Sequence, residues 1–115
     1  MVVGILDDDR ADLLFHALAD TTRRDIVRVV MGGEHSVSEL ARRYPMSFAA
    51  VQKHVAVLER AGLVSKRPRG REQLVRGELE AVRDVHVLLD RLEAMWRDRM
   101  SRFGDVLAHN EGNPT

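Results

Sequence analysis

Residues 36–62 read SVSELARRYPMSFAAVQKHVAVLERAG, and their caps, apolar spacing, proline and glycine predict two helices separated by a short turn. Ser36 and Glu39 form the S-x-x-E pattern of a helix-capping box. Apolar side chains then recur at helical spacing on one side, at Val37, Leu40, Ala41 and Tyr44. Pro45 stops this helix because it lacks a backbone N–H and restricts the residue before it. The pattern predicts a first helix from Ser36 to Tyr44.

A second helix is predicted to follow almost at once. Ser47 caps it, Gly62 ends it, and its inward stripe consists of apolar side chains, namely Val51, Val55 and Leu58. Two short amphipathic helices joined by a turn of about three residues have the spacing of a helix-turn-helix. The second helix of such a pair enters the DNA major groove, where the residues near its start reach base edges.

The candidate DNA contacts of this helix lie on its outward side near its beginning. They are Ser47, Phe48, Ala49, Gln52, Lys53 and His54. Gln52 has the geometry to pair with adenine and Lys53 to contact guanine or a phosphate. Ala49 is small enough for close approach and for contact with a thymine methyl group. Ser47 and His54 suit backbone phosphates.

A β-hairpin, here called the wing, is predicted directly after this pair of helices. Strand-like runs at residues 63–66 and 73–76 flank a turn that contains proline and glycine. The turn region carries arginines able to enter a neighbouring minor groove, namely Arg67, Arg69 and Arg71. Arg42 and Arg43, at the end of the first helix of the pair, are candidates for phosphate contacts.

The segment from residue 78 to about residue 108 is predicted to be one long helix. Its apolar residues are spaced three or four apart, as in a coiled-coil seam, at Val82, Val85, Leu89, Leu92, Trp96, Met100, Phe103 and Leu107. A helix of this length, about 45 Å, would overhang so small a domain unless the seam met a partner chain. The seam therefore predicts a homodimer.

Two further helices precede these elements, at about Asp8–Ala19 and at Thr21–Met31, the second capped by Asp20. The whole pattern predicts a mainly α, dimeric winged helix-turn-helix with about five helices and a two-stranded wing. We expect a single domain over residues 1–115, with a core and wing at 8–76, a dimerisation helix at 78–108 and a disordered tail at 110–115.

Charge is unevenly distributed along a chain whose formal net charge is zero. Residues 39–76 carry nine basic and three acidic side chains, and the segments on either side are acidic overall. A local basic face of this kind is typical of a phosphate-binding surface. The alternative interpretation is a protein-interaction or dimerisation module without specific DNA binding, which would bind no duplex DNA at low salt.

Composition excludes several other classes of protein. The chain contains no cysteine, which excludes disulfides, thiolate metal sites and thiol redox chemistry. It shows no glycine-rich phosphate loop, catalytic carboxylate pair or nucleophile elbow, so we do not expect an enzyme. Without a secretory leader or an apolar run of membrane-spanning length, a cytoplasmic protein is expected, with no membrane partner.

Residues 15–27 read FHALADTTRRDIV and are similar to the signature of the arsenical-resistance-repressor-like (ArsR) family. Residues 38–41, 51–54 and 57–64, together with Ser47, resemble the helix-turn-helix of that family. The resemblance covers about residues 15–107. It implies a homodimeric winged-helix regulator, usually a repressor that leaves its operator when an inducer binds. It places Gln52, Lys53 and His54 on the recognition helix.

The chain departs from the family pattern at several positions. Gln52 stands where many members have serine, Thr21 where many have proline, and the common tyrosine of the wing is missing from residues 73–75. These departures bear on which DNA sequence is read and not on whether DNA is bound.

Two residues of the predicted C-terminal helix match one half of a known type of metal site. Some members of the family bind metal through a D-x-H pair on the C-terminal helix, and Asp84 and His86 match that pair. Arg97 and Met100 stand where the second half is expected, and neither completes a Zn²⁺ or Co²⁺ site. We therefore expect no metal and no cofactor. A metal-responsive repressor that uses the C-terminal helix remains an alternative, and the effector is unknown.

Overall fold

The computed structural model describes residues 8–111, and their side chains as far as residue 108. Five helices and three strands follow one another within this range. They are α1 (Asp8–Leu18), α2 (Thr21–Met31), β1 (His35–Ser36), α3 (Val37–Ala41), α4 (Phe48–Arg60), β2 (Val64–Arg69), β3 (Glu72–Gly77) and α5 (Leu79–Glu111). The chain divides into two compact units after Val85. This arrangement confirms the mainly helical winged fold.

Polar side chains cap the N-termini of three helices, as the sequence predicts. Asp20 accepts a hydrogen bond from the backbone N–H of Arg23 (3.0 Å) at the start of α2. Ser36 and Glu39 form the reciprocal capping box of α3. Ser47 accepts from the N–H of Ala50 (3.1 Å) at the start of α4. Each cap satisfies an N–H that has no partner within its own helix.

The core of the first unit lies between the helices and the sheet. Its largest fully buried apolar side chains come from α1 to α4, from both long strands and from the residue just before β2. They are Leu14, Ile26, Val30, Leu40, Val51, Val55, Leu58, Leu63, Val64 and Val75. Helix α4 packs against α1, α2, α3 and β2. The helix-turn-helix is therefore held from several sides by apolar burial, the main source of folding free energy.

The three strands form an antiparallel sheet in the order β1-β3-β2. The predicted hairpin is confirmed, but its turn is shorter than expected and consists of Gly70 and Arg71 alone. Gly70 has φ +62°, which suits the first central position of a two-residue type II′ turn. Pro68 is accommodated because β2 is an edge strand, where a missing N–H can face solvent.

The end of α3 and the strand before it differ from the prediction. Helix α3 ends at Ala41, not at Tyr44, and residues 42–46 form a turn instead. The side chain of Tyr44 takes part in a tertiary hydrogen bond with Asp25, a contact that spacing within the helix does not reveal. The two-residue strand β1 was not predicted, because so short a run carries no alternation and exists only through pairing with β3.

Helix α5 continues past its expected end near residue 108 and includes Asn110 and Glu111, the start of the expected disordered tail. It runs through Gly104, whose cost of roughly 1 kcal/mol within a helix is small against so long a segment. The rest of the expected tail, residues 112–115, lies outside the described residues.

Arg10 of α1 links the ends of two other helices. Its Nη1 donates a hydrogen bond to the carbonyl oxygen of Ala61, the residue that caps the C-terminus of α4. Its Nη2 lies 3.4 Å from Oδ2 of Asp84 in the first part of α5. Asp84 is only 8% exposed. Gly62 leaves room for the guanidinium, since a Cβ there would lie 3.2 Å from it. The contact joins three elements far apart in sequence.

We expect Arg10→Met to lower the free energy of unfolding by about 2 kcal/mol, because it leaves the buried Asp84 carboxylate without its cation. Urea denaturation at fixed protein concentration measures the change. Arg28→Met is the matched control, since it removes a solvent-exposed ion pair with Asp25 and such pairs contribute little. Equal losses in the two variants would contradict the assignment.

Candidate nucleic-acid interface

Helix α4 has one buried side and one exposed side. Val51, Val55 and Leu58 are 0–1% exposed. The predicted base-reading residues are all exposed, namely Phe48, Ala49, Gln52 and Lys53. Because the buried stripe anchors the helix, the remaining face of its first two turns is presented to solvent. We call these four residues the α4 face. Ser47 lies at its edge, exposed and engaged in the N-cap.

The turn before α4 is fixed by the only tyrosine of the chain. The Tyr44 hydroxyl donates to Oδ2 of Asp25 on α2 over 2.7 Å, and the other oxygen of that carboxylate accepts from Arg28 (2.7 Å). Burial, and then the hydrogen bond to Asp25, raise the pKa of Tyr44 to about 12. The hydrogen bonds from Tyr44 and Arg28 lower the pKa of Asp25. Exposed Arg42 and Arg43 directly precede Tyr44.

His54 does not belong to the α4 face. It is half-buried, and its Nδ1 lies 3.2 Å from Nη1 of Arg23 and 4.0 Å from Oδ1 of Asp20. Arg23 also donates to the carbonyl oxygens of Ala17 (2.8 Å) and His16 (2.9 Å), where α1 ends. The structure therefore places His54 against the junction of α1 and α2, with 21% of its side chain still accessible.

The three arginines of the wing have different surroundings. Arg67 forms an ion pair with Glu34 (3.0 Å), which lies in the loop after α2. Arg69 and Arg71 flank Gly70 at the tip of the hairpin, and their side chains have no hydrogen bond or ion pair with the side chains and backbone described for residues 8–108. Sequence reasoning missed the Glu34 contact because the two residues are far apart in the chain.

Other positive charges of the basic segment are also neutralised within the fold. Lys66 lies 3.4 Å from Glu59, and Arg76 lies 3.3 Å from Glu78. Nine basic residues lie in the segment 39–76, but only five of them lack an ion pair or side-chain hydrogen bond in the described part of the chain. These five are Arg42, Lys53, Arg60, Arg69 and Arg71. They concentrate on the helix-turn-helix and the wing tip.

The two candidate metal ligands are not equivalent. The Asp84 carboxylate is buried and paired with Arg10, whereas His86 is exposed. The guanidinium of Arg10 is therefore already paired with Asp84, the carboxylate of the D-x-H pair. Among the side chains described for residues 8–108, no group of three or more histidines and carboxylates is placed to hold a metal ion.

The predicted seam of α5 lies in both units. Val82 and Val85, in the first, are half-buried. The seam residues of the second unit are exposed in the single chain, with Leu92 57%, Trp96 60% and Phe103 58% accessible; Leu89, Met100 and Leu107 are also exposed. Within residues 8–111, no helix combines the length and apolar character that crossing a membrane requires.

Comparison with known proteins identifies relatives over nearly the whole chain. A family model described as a helix-turn-helix domain matches residues 18–67. The chain is 35% identical over 104 residues to the HTH-type transcriptional regulator Rv2034 of Mycobacterium tuberculosis, covering 90% of this chain and 94% of that protein. The structure of an ArsR-like transcriptional regulator from Rhodococcus sp. RHA1 superposes with a TM-score of 0.76 at 31% identity, covering 85% of this chain and 92% of that one.

Shorter or more distant matches agree with this fold. The transcriptional repressor SdpR of Bacillus subtilis is 28% identical over 57 residues, a match that covers 50% of this chain and 63% of that protein. The transcriptional activator HlyU of Vibrio cholerae is 38% identical over 58 residues, which covers 50% of this chain and 54% of that protein. A homodimeric winged helix-turn-helix domain of Mycobacterium bovis, 24% identical, has the same fold with a TM-score of 0.62, covering 75% of this chain and 80% of that one.

We expect Tyr44 to ionise near pH 12 in the folded protein and near pH 10 when unfolded, about the ordinary value. Since the folded pKa is the higher, this group contributes stability that is fully present below pH 10 and lost as pH rises through 12. Tyrosinate absorbance against pH, with circular dichroism to follow the fold, measures it. Asp25→Asn lowers the folded pKa, and an unchanged value would contradict the role of the carboxylate.

Proposed function

The chain belongs to the ArsR family of winged helix-turn-helix transcriptional regulators, and we propose that it binds a specific operator as a homodimer. The single observation that carries the proposal is the α4 face. It is a row of exposed side chains at the start of a helix whose opposite side is completely buried. A helix presented in this way fits the major groove with its N-terminal residues at the base edges.

Within this proposal the α4 face reads bases and the surrounding cations hold phosphates. Gln52 pairs with an adenine through two hydrogen bonds, and Lys53 contacts a guanine or a phosphate. Ala49 permits close approach, and Ser47 contacts the backbone. Arg42 and Arg43 neutralise phosphates beside the first helix of the motif. His54 acts indirectly, through its contact with Arg23, by keeping α4 against the α1–α2 junction.

The wing supplies the second set of contacts. Arg69 and Arg71 at the hairpin tip enter the minor groove next to the site of α4. Their freedom from internal partners in the described chain supports this role, because no ion pair has to break before they bind. Arg67 contributes less, since a DNA contact competes with its ion pair to Glu34.

Dimerisation is proposed to bury the α5 seam of one protomer against that of its partner, through Val82, Val85, Leu89, Leu92, Trp96, Met100 and Phe103. The exposure of so many large apolar side chains along one helix supports this, because a contiguous apolar patch marks an interaction surface. The two-fold symmetry of such a dimer calls for an inverted repeat whose half-sites lie about one helical turn apart.

We propose that the protein represses transcription. We also propose that it is located in the cytoplasm, where operator DNA is accessible. A regulator bound across a promoter blocks transcription by its volume alone and needs no additional contact with the polymerase. The relatives include both a named repressor and a named activator. A promoter–reporter fusion with and without the protein tests the direction: lower expression in its presence agrees with repression, and higher expression contradicts it.

In anisotropy titrations, we expect affinity for a selected operator to fall steeply with salt, because each neutralised phosphate releases counterions. Gln52→Ala should lower the preference for that operator over an unrelated duplex roughly tenfold. Arg69→Ala should weaken binding to both duplexes equally and reduce the salt slope by about one. Arg67→Ala is the matched control with a smaller effect. Equal affinity of the native protein for every duplex would contradict sequence-specific binding.

We expect the protein to scatter light as a dimer at micromolar concentration, and Leu92→Asp to convert it to a monomer by placing a charge in the seam. The only tryptophan, Trp96, then reports the change, since its emission shifts to longer wavelength when water reaches the ring. Ala94→Asp, a charge of the same sign away from the seam, is the control and should remain dimeric. A monomeric native protein would contradict this interface.

A further inference from the structure

Phe48 is the one large apolar side chain of α4 that remains exposed. It is 48% accessible at the first position of the helix, whereas Val51, Val55 and Leu58 are 0–1% accessible. A phenylalanine is mostly found inside proteins, so an aromatic ring left in water at the start of a recognition helix calls for an explanation.

The local structure does not require a phenylalanine at this position. Ser47 alone makes the capping hydrogen bond. In the usual apolar contact at a helix start, the residue before the cap packs against the fourth residue of the helix; here those positions belong to Met46 and Val51. Phe48 has neither role, and it is not a member of the buried core.

The neighbours of Phe48 point to a ligand with one apolar group beside a hydrogen-bonding edge. Gln52 lies four residues on and Ala49 three residues before Gln52, so the three side chains share one side of the helix. All three are exposed. An apolar ring, a small methyl-bearing residue and an amide therefore form one continuous patch on the α4 face.

Among base pairs, this combination matches adenine–thymine. In the major groove only thymine presents an apolar group, its C5 methyl, and its adenine partner presents the N6 donor and N7 acceptor that an amide pairs with. Successive bases of a strand lie 3.4 Å apart and four helical residues rise about 6 Å, so the side chains of Phe48 and Gln52 reach pairs within about two steps of each other. Guanine and cytosine offer no apolar group at this edge.

We propose that Phe48 is a specificity-determining residue that packs against the C5 methyl of a thymine in each half-site, next to the adenine that Gln52 reads. This inference rests on the proposed function and makes it more specific. It identifies the preferred half-site as one that contains adenine–thymine pairs opposite the start of α4, and it assigns the recognition of the methyl group to the aromatic ring.

The test begins with selection of preferred duplexes from a random-sequence library by the full-length protein. Each thymine of the selected site is then replaced by deoxyuridine, which removes only the C5 methyl group and keeps every hydrogen bond. We expect one position per half-site at which this replacement weakens binding about fourfold, the effect of losing one buried methyl contact. Other thymines should show no such effect.

Variants then assign the methyl contact to a residue. In Phe48→Ala the ratio of thymine to uracil affinity at that position should fall to about one, while Phe48→Leu, which keeps an apolar side chain, should retain part of it. Phe15→Ala removes a comparably exposed phenylalanine from α1 and is the matched control, with an unchanged ratio. Circular dichroism verifies that each variant is folded.

The outcomes separate this inference from the proposed function. Selection of a site without thymine opposite α4, equal affinity for thymine and uracil in the native protein, or full discrimination in Phe48→Ala would each overturn the role of Phe48 while leaving operator binding intact. Failure to select any sequence at low salt would overturn the proposed operator binding and this inference with it.

Discussion

The structure depends on the complete burial of one side of α4. Val51, Val55 and Leu58 pack against elements from both ends of the first unit, which leaves the helix a single orientation. A rotation of the helix about its axis would expose this stripe and bury Gln52 and Lys53 without partners, at a large cost. The exposure of the α4 face is thus a consequence of core packing and does not require DNA to be present.

Three polar contacts reinforce this orientation along the length of the motif. The hydroxyl of Tyr44 holds the turn before α4 to α2, His54 meets Arg23 at the middle of the helix, and Arg10 holds its C-terminal carbonyl. All three partners come from α1 and α2, which therefore act as a frame for the recognition helix. A preorganised helix loses little conformational freedom on binding, which favours affinity.

Ion pairs within the fold determine which positive side chains remain available on the proposed DNA surface. The carboxylates of Glu34, Glu59 and Glu78 neutralise three of the cations on and around the wing, and the arginines at its tip are left without partners in the described chain. A neutral protein can in this way present a small basic surface, since the field near a phosphate depends on local charges far more than on the net charge when salt screens the rest.

Caps and spacing are enough to predict the five helices, the two strands of the wing, the caps at Asp20, Ser36 and Ser47, and the buried stripe of α4, because hydrogen bonding at a helix end and helical periodicity are local properties of the chain. The sequence also identified the residues of the α4 face. Contacts within the folded chain are needed to see that His54 packs against the α1–α2 junction, that Arg67 is paired, that Asp84 holds Arg10 and that α3 ends early at Ala41. Each of these depends on a contact between residues distant in the chain, and local spacing carries no information about such contacts.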